Sequence, residues 1–514
     1  MRTPAVALLV LFIGATVAFA VYANDDDPAA AEALPPIVVL VFDEFPTEAL
    51  TTPSGRIDAA RYPNFAALAR TSTWFRNGYT VFDSTFKALP SILDGRMPVD
   101  KTAADVRSHQ PSVYHLVHRL GYEIVKAESA TAICPLWICI GSRARRPGVL
   151  PRLAGSGRPA RLHAWIGALR ERDRPTFYFH HALLPHEPWL YLPSGRASRP
   201  PGIEPITALN KPPGWHLPGL TDHNHLRFLL QVGYVDRELG RVVRRMRRTG
   251  LFDRALLVVM ADHGYSFELG VKSRRQVTER SIDEIAPVPF FVKTPGQTEG
   301  SVDHSLVRTV DLLPTIADVL GVGTPWQADG HSAFAAMTRA REHVSMMRRD
   351  FSRLVSMGRE EWVQRRAALS RWRAGKFGTG ARSERAFGDP WAMAYRIGPH
   401  PELLGDPVGT PAPSGRVRGV LVNPGLVNRV DPRGPMVPTR VMGRIEGGRP
   451  GAERDLAVAV NGRVRAVGRS FHLRGRRPEL FSLIFPERAL RRGDNRLQLL
   501  EVRPGGELVL LADV

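Results

Sequence analysis

Cysteine is nearly absent from this chain of 514 residues, and lysine is scarce: there are two cysteines, Cys134 and Cys139, and seven lysines. Two thiols five positions apart with no histidine beside them are too few for a structural zinc site. In an oxidising compartment they can instead close a small disulfide loop. Also missing are a Walker loop, a Gly-x-Ser-x-Gly elbow and a His-Glu-x-x-His helix. That removes P-loop nucleotide hydrolysis, α/β-hydrolase serine chemistry and zincin proteolysis. With 43% hydrophobic and 23% charged residues, the composition is that of a globular core, far from a disordered or multi-span membrane chain.

What the chain has in excess is arginine. The 70 basic residues against 50 acidic ones give a formal charge of +20, and all but the seven lysines are arginines. A nucleic-acid partner is the first thing such a charge suggests, because cations on a protein release the counterions of phosphates. The arginines, however, are spread out, with clusters at 143–146, 241–248 and 348–385. None is interleaved with aromatic stacking platforms, and no zinc-finger or RNA-binding signature accompanies them. Nucleic acid is therefore not the expected partner. The arginines read as solvated faces or as attraction to anionic envelope polymers and lipids.

Residues 5–23 are uncharged and mostly apolar, with Arg2 before them and Asp25, Asp26 and Asp27 after. Their length approaches the ~20 residues needed to cross a bilayer, and the charges orient the rest of the chain away from the cytoplasm. Residues 1–24 thus read as a transmembrane anchor in the inner membrane, or as a signal peptide ending at Val21-Tyr22-Ala23. Residues 25–36 form a linker. From there to about 340, short β-branched runs at 37–42, 122–125, 176–179, 256–260 and 289–292 alternate with helical periodicity at 62–69, 112–120, 223–248 and 312–320. Asp311 suits a cap for the last of these, and Gly321 suits its stop. This alternation predicts an α/β domain with a mostly parallel sheet covered on both faces. Residues 341–412 read as an arginine-rich connector, helical at first. Residues 413–514 alternate, with turn signals at Asn461-Gly462 and Pro504-Gly505-Gly506, and predict a β-sandwich.

Ligands of open parallel sheets sit beyond the carboxyl ends of the strands. Three expected strands end there in chemistry: Asp43 and Glu44 after the first, His180 and His181 with His186 beyond, and Asp262 with His263. Carboxylates and imidazoles gathered at one edge suit a divalent cation. Singly, each such residue is more often a cap or a core histidine. The segment DSTFKALPSILDGRMP, residues 83–98, adds the hydroxyls of Ser84 and Thr85 and the ammonium of Lys87. A cation lowers the pKa of an oxygen it holds, and helix N–H groups can face an oxyanion if Thr85 opens a helix. Alone, this segment would read as a plain helix cap with a surface lysine.

The strings VVLVFDEFP, TFKALPSILDG, ADHG and TVDLLPTIADVLGV, in this order, resemble the sulfatase-like branch of the alkaline phosphatase superfamily over about residues 37–340. The resemblance implies a doubly wound, alkaline phosphatase-like α/β fold that hydrolyses or transfers phosphate or sulfate esters at a metal. It implies Thr85 as nucleophile and metal-bound oxygen, and Asp43, Asp262 and His263 as ligands of one divalent ion (Mn, Zn, Mg or Ca). Lys87 and His186 would hold the charged oxygens and leaving group, with His181 or His186 handling the proton. Two departures stand out. Sulfatases carry Cys (or Ser)-x-Pro-x-Arg for conversion to formylglycine, where this chain has Thr85-Phe86-Lys87-Ala88-Leu89, and Glu44 stands where they usually have Asp. A threonine on a single metal is closer to lipoteichoic-acid synthases and phosphoglycerol or phosphoethanolamine transferases. For a second metal only Asp236, His304 and His331 are at hand. The expectation is a membrane-anchored, metal-dependent enzyme acting on a phosphate-type ester of an anionic lipid or glycan outside the cytoplasm. Sulfuric ester hydrolysis, or a non-catalytic glycan-binding role, are its rivals.

Overall fold

Seven consecutive apolar or sheet-terminating residues, IVVLVFD, make the central strand β1 (Ile37–Asp43), buried throughout. A strand so apolar on both faces must be covered on both sides. Val38, Leu40 and Phe42 pack with Phe65 of the helix Pro63–Ala69 and with Val235 and Leu239 of the long helix Pro218–Arg248, while Ile37, Val39 and Val41 are equally buried on the other face. The computed structural model describes residues 34–139, 157–200, 216–271, 273–324, 326–473 and 478–514.

β1 lies in a seven-stranded sheet with β2 (Thr73–Phe75), β3 (Glu123–Ala127), β4 (Thr176–Pro185), β5 (Leu256–Ala261), β6 (Phe290–Lys293) and β7 (Ser301–Asp303), ordered β3-β4-β1-β5-β6-β2-β7. β1 pairs in parallel with β4 and β5, bringing Ile37 opposite Phe177 and Leu256, and β3/β4 and β2/β7 are also parallel. β6 runs antiparallel to both β5 and β2. The expected mostly parallel α/β sheet is therefore present, with β2 and β7 added at three residues each. Helices Val113–Arg119 and Leu312–Val319 fall where their periodicity placed them. Asp311 does not cap the latter with its side chain. Its carboxylate instead accepts the backbone N–H of Arg308 and His331 and pairs with Arg341, so ion pairing outcompetes capping.

Two C-terminal sheets face one another. One, of five strands, runs Ala412–Pro413, Leu508–Asp513, Leu497–Val502, Asp455–Val460, Arg463–Arg469; the other, of three, runs Arg418–Leu421, Arg440–Glu446, Glu479–Ile484. Leu456, Val458 and Leu499 of the first share a core with Phe481 and Leu483 of the second. Asn461 and Gly462 take φ of 51° and 77° in the tight turn of a hairpin, the left-handed pair such a turn requires.

The arginine-rich stretch before these sheets departs from the helical expectation at its start. Residues His343–Met347 and Leu354–Gly358 form an antiparallel hairpin, and only then do the helices Arg359–Phe377 and Gly380–Phe387 follow. Alternation decides this: Val344, Met346, Val355 and Met357 are buried while their neighbours are not. Nor are its arginines all solvated. Arg366 reaches Glu48 (2.6 Å) and the side chain of Asn77 (2.8 Å), and Arg373 donates to the Thr51 carbonyl (2.6 Å). Arg366 and Glu48 are nearly dry, at 2% and 3% side-chain exposure. Arg366→Ala should thus leave a buried carboxylate unpaired and cost about 3–5 kcal/mol in urea unfolding.

Cys134 and Cys139 are joined in a disulfide, with Cα atoms 6.2 Å apart. No helix among the described residues is long and apolar enough to cross a membrane. The apolar run at 5–23, expected to be an anchor or signal peptide, lies outside them.

Candidate active site

The carboxyl edge of the sheet collects the expected residues. Asp43 ends β1, and Asp262 and His263 follow β5 directly. Local bonds aim each of them. Asp262 Oδ1 accepts the backbone N–H of His263 (2.6 Å) and of Glu44 (3.2 Å), which leaves Oδ2 directed into the cluster. His263 Nδ1 donates to the Gly264 carbonyl (2.9 Å), so its Nε2 carries the free lone pair, the arrangement of a histidine ligand held from behind. Gly264 sits so close to the carbonyls of Glu284 and Ile285 that a Cβ would fall 2.6 and 2.7 Å from them, which explains the glycine after Asp262-His263.

Thr85 opens the helix Thr85–Asp94, with Ser84 as N-cap and Gly95 as the left-handed stop. Its Oγ1 lies 3.3 Å from Asp43 Oδ1 and 3.4 Å from His263 Nε2. As the first residues of a helix, Thr85 and Phe86 have backbone N–H groups with no partner in the helix, and these favour negative charge. The turn is braced from behind: the Asp83 carboxylate accepts the Val277 N–H (2.9 Å) and pairs with Arg349 (2.9 Å).

Asp43, Asp262 and His263 are all buried, and one ligand atom from each lies within 4.8 Å of the others. Donors sharing one cation are about 3.3–3.8 Å apart on tetrahedral zinc and up to about 5 Å apart across calcium. Asp262 Oδ2 makes no hydrogen bond and stands 3.7 Å from both His263 Nε2 and His181 Nε2. Burial, followed by the Asp262 charge, pushes the Asp43 carboxyl up to about 7. For Asp262 burial works the same way, but the imidazoles of His263 and His181 outweigh it and hold its carboxyl low. Two dry carboxylates that resist joint ionisation, with an orphan oxygen between imidazoles, fit one divalent cation. Among the described residues this is the one cluster of its kind. Asp236, considered for a second metal, accepts the backbone N–H of Asn64 (3.0 Å) and Phe65 (2.8 Å) and caps the helix Pro63–Ala69.

Around this trio the expected groups divide. His181, fully buried on β4, has no hydrogen bond on either ring nitrogen; burial opposes its protonation, but Asp262 and Asp43 prevail and raise its pKa. His180 points away, stacks on Trp165 (5.2 Å) and donates Nδ1–H to the Ala127 carbonyl, and burial pushes it down to about 3. His186 donates Nδ1–H to the Glu187 carbonyl (2.6 Å) and accepts from Arg275 (2.7 Å) at Nε2; burial and the arginines keep it neutral. Lys87 corrects its expectation. All three donors of its ammonium are taken by the carbonyls of Val99 (2.6 Å) and Thr102 (2.9 Å) and by Thr102 Oγ1 (2.8 Å), so it ties down a loop and is not free to meet an oxyanion.

Arginines that the pattern of motifs did not reveal supply the positive charge. Glu44, held at φ 61°, turns away from the trio onto Arg275 and Arg274 (3.4 Å), with His186 Nε2 also 3.4 Å away. Arg158 donates to the carbonyls of His186 (2.5 Å) and Glu187 (2.6 Å), and its positive charge acts on Asp43. The only sequence signal for the pair was Arg274-Arg275 in the loop beyond Asp262-His263.

The family model described as Sulfatase matches residues 160–322, a segment that includes Asp262 and His263 but neither Asp43 nor Thr85. Among relatives, a Delta 4,5-hexuronate-2-O-sulfatase of Bacteroides thetaiotaomicron is 36% identical over 103 residues, covering 19% of this chain and 21% of that protein. A lipoteichoic acid synthase of Staphylococcus saprophyticus is 27% identical over 96 residues, covering 18% and 15% respectively. The chain thus spans about a fifth or less of the length of these relatives. A phosphonate monoester hydrolase of Agrobacterium radiobacter is similar in structure at a TM-score of 0.45 and 16% identity, covering 62% of this chain and 81% of that one.

Proposed function

We propose that the chain is a sulfatase-like enzyme, a metal-dependent hydrolase or transferase of anionic sulfate- or phosphate-type esters, with Thr85 as nucleophile. The observation that carries this reading is the placement of the Thr85 hydroxyl, at a helix N-terminus, between Asp43 and His263. Asp43, Asp262 and His263 would hold one divalent cation, which when bound supplies the charge that makes a hydroxyl nucleophilic near neutral pH. Thr85 Oγ gives its proton to His181 and forms a bond to the central phosphorus or sulfur as the ester bond to the leaving alcohol breaks. The helix N–H groups of Thr85 and Phe86 stabilise the charge gathering on the anion's oxygens. Arg275, the more exposed of the pair, binds the anion beside His186, while Arg274 is engaged by Glu44 and Glu187. His181, whose protonated form Asp262 and Asp43 favour, passes that proton to the departing oxygen, and water or an acceptor hydroxyl then releases the group from Thr85.

On the ester itself two lines divide. The relatives favour a sulfuric ester: the family model and the first relative are sulfatases. The threonine favours a phosphate ester, because it cannot become the formylglycine that sulfatases use. Aryl sulfate and aryl phosphate diester, assayed side by side with the purified protein, separate them. Turnover of the sulfate alone by an unmodified Thr85 would establish the sulfatase reading, turnover of the diester alone the phosphoryl one, and turnover of neither would sink the proposal. The disulfide agrees with an exported protein, so the substrate is proposed to be an anionic glycan or lipid outside the cytoplasm, reached from a membrane tether at residues 1–24.

A further inference from the structure

The arginines of 241–248 are not used by the site just described. They lie on the last two turns of the helix Pro218–Arg248 and, with His163 and Ile166 of the helix Arg158–Ala168, line an open groove of about 470 Å³ through Arg241, Arg244, Arg247 and Arg248. Elsewhere arginines are commonly paired, as Arg349 is with Asp83 and Arg366 with Glu48. None of the six residues lining the groove is acidic, and the nearby Glu238 is buried and already shared by His163 (2.8 Å) and Arg241 (3.5 Å). Arg247 lies over the ring of Phe252 at 4.8 Å. Arg244 and Arg248 are exposed and have neither an ion pair nor a hydrogen bond among the described residues. Like charges three and four residues apart repel, and a concave surface of one sign concentrates anions.

The position of the groove identifies its occupant. Eight residues after Arg248 the chain enters β5, whose first residue, Leu256, donates its N–H to the Pro36 carbonyl (2.9 Å), and Arg245 donates to the carbonyl of Leu169 at the end of the helix that precedes β4. The groove therefore lies at the amino edge of the sheet, the edge at which residues 34–36 enter β1 and the far one from Asp43 and Asp262. β1 alone separates these edges by about 20 Å, too far for one small ester to touch both. Ten residues, 24–33, separate the apolar run from Leu34, and ten residues of any chain span at most about 35 Å. A membrane tether at 5–23 would hold this edge near the lipid. We propose that the Arg241–Arg248 groove is a second, non-catalytic anion site that seats phosphate headgroups of an anionic lipid surface and keeps the amino edge of the sheet on the membrane.

The full chain, reconstituted into phosphatidylcholine vesicles with and without phosphatidylglycerol, tests this by hydrogen exchange over residues 239–250. About 1 kcal/mol per arginine at an anionic surface corresponds to about a fivefold factor, so exchange should slow at least about fivefold when phosphatidylglycerol is present. The double variant Arg244→Glu, Arg248→Glu should lose that slowing and keep its ester turnover, which shows that it folds. Equal exchange in the two vesicle types, or slowing that survives the double variant, would overturn the proposal. Slowing of the same size by a soluble sulfated glycan or by inorganic phosphate with phosphatidylcholine vesicles would also overturn it, since the site would then serve a soluble anion.

Discussion

Thr85→Ala should lower ester turnover by on the order of 10⁴-fold or more, the loss seen when a covalent nucleophile is removed. The side chain is small and contributes no packing beyond its methyl group, so the variant should fold and retain the disulfide and the metal cluster. Thr85→Ser keeps an oxygen at the position 3.3 Å from Asp43 and 3.4 Å from His263 and should keep much of the rate. Ser84, one residue earlier, holds the N-cap position but its side chain makes no capping hydrogen bond; Ser84→Ala should leave turnover within about tenfold, because even a lost cap affects stability by only ~1 kcal/mol. Mass spectrometry of the wild type, quenched during turnover, should find the transferred group on the peptide containing Thr85. Full activity of Thr85→Ala would refute the covalent route, and an adduct on Ser84 would move the nucleophile by one residue.

The parts of this site that were legible in the sequence are those in which a short side chain acts from the place where its strand or helix ends. Asp43, Asp262 and His263 need no distant partner to reach the carboxyl edge, because β1 and β5 are neighbours and stop together. Thr85 is likewise set by the helix it opens. Arg274, Arg275 and Arg349 were not legible for the opposite reason. Each is a long side chain on irregular backbone, and the contact between Arg349 and Asp83 joins residues 266 apart, which no local periodicity encodes. Lys87 was misread through the same property: one residue type on a flexible stem can serve either the site or a neighbouring loop, and the acceptors at Val99 and Thr102 decided it. β2 and β7 were missed because three residues give too few alternations to show a period. The hairpin at 343–358 was hidden by its arginine-rich turn, whose charge resembled that of the helix after it.

Removing divalent cations should abolish turnover, and re-adding one should restore it; the more discriminating experiment is Asp262→Asn. Asparagine keeps the oxygen that accepts the His263 and Glu44 N–H groups, so the local backbone should hold, while the charge that raises the Asp43 pKa is removed. Without cation the substitution removes both the repulsion on Asp43 and the attraction to the His263 and His181 imidazoles, so the readout is the change in stability on adding cation. With saturating cation the wild type should gain stability, about 2.7 kcal/mol at a hundred times Kd, and the variant should gain much less and lose turnover by about 10³-fold. Calorimetry with and without cation gives the first comparison and the ester assay the second. A non-catalytic, glycan-holding protein would show neither the cation-dependent rise in melting temperature nor any effect of the substitution. A rise that persists in Asp262→Asn would mean that the cation binds away from Asp43 and His263, and the nucleophile would then lack the charge that the proposed chemistry requires.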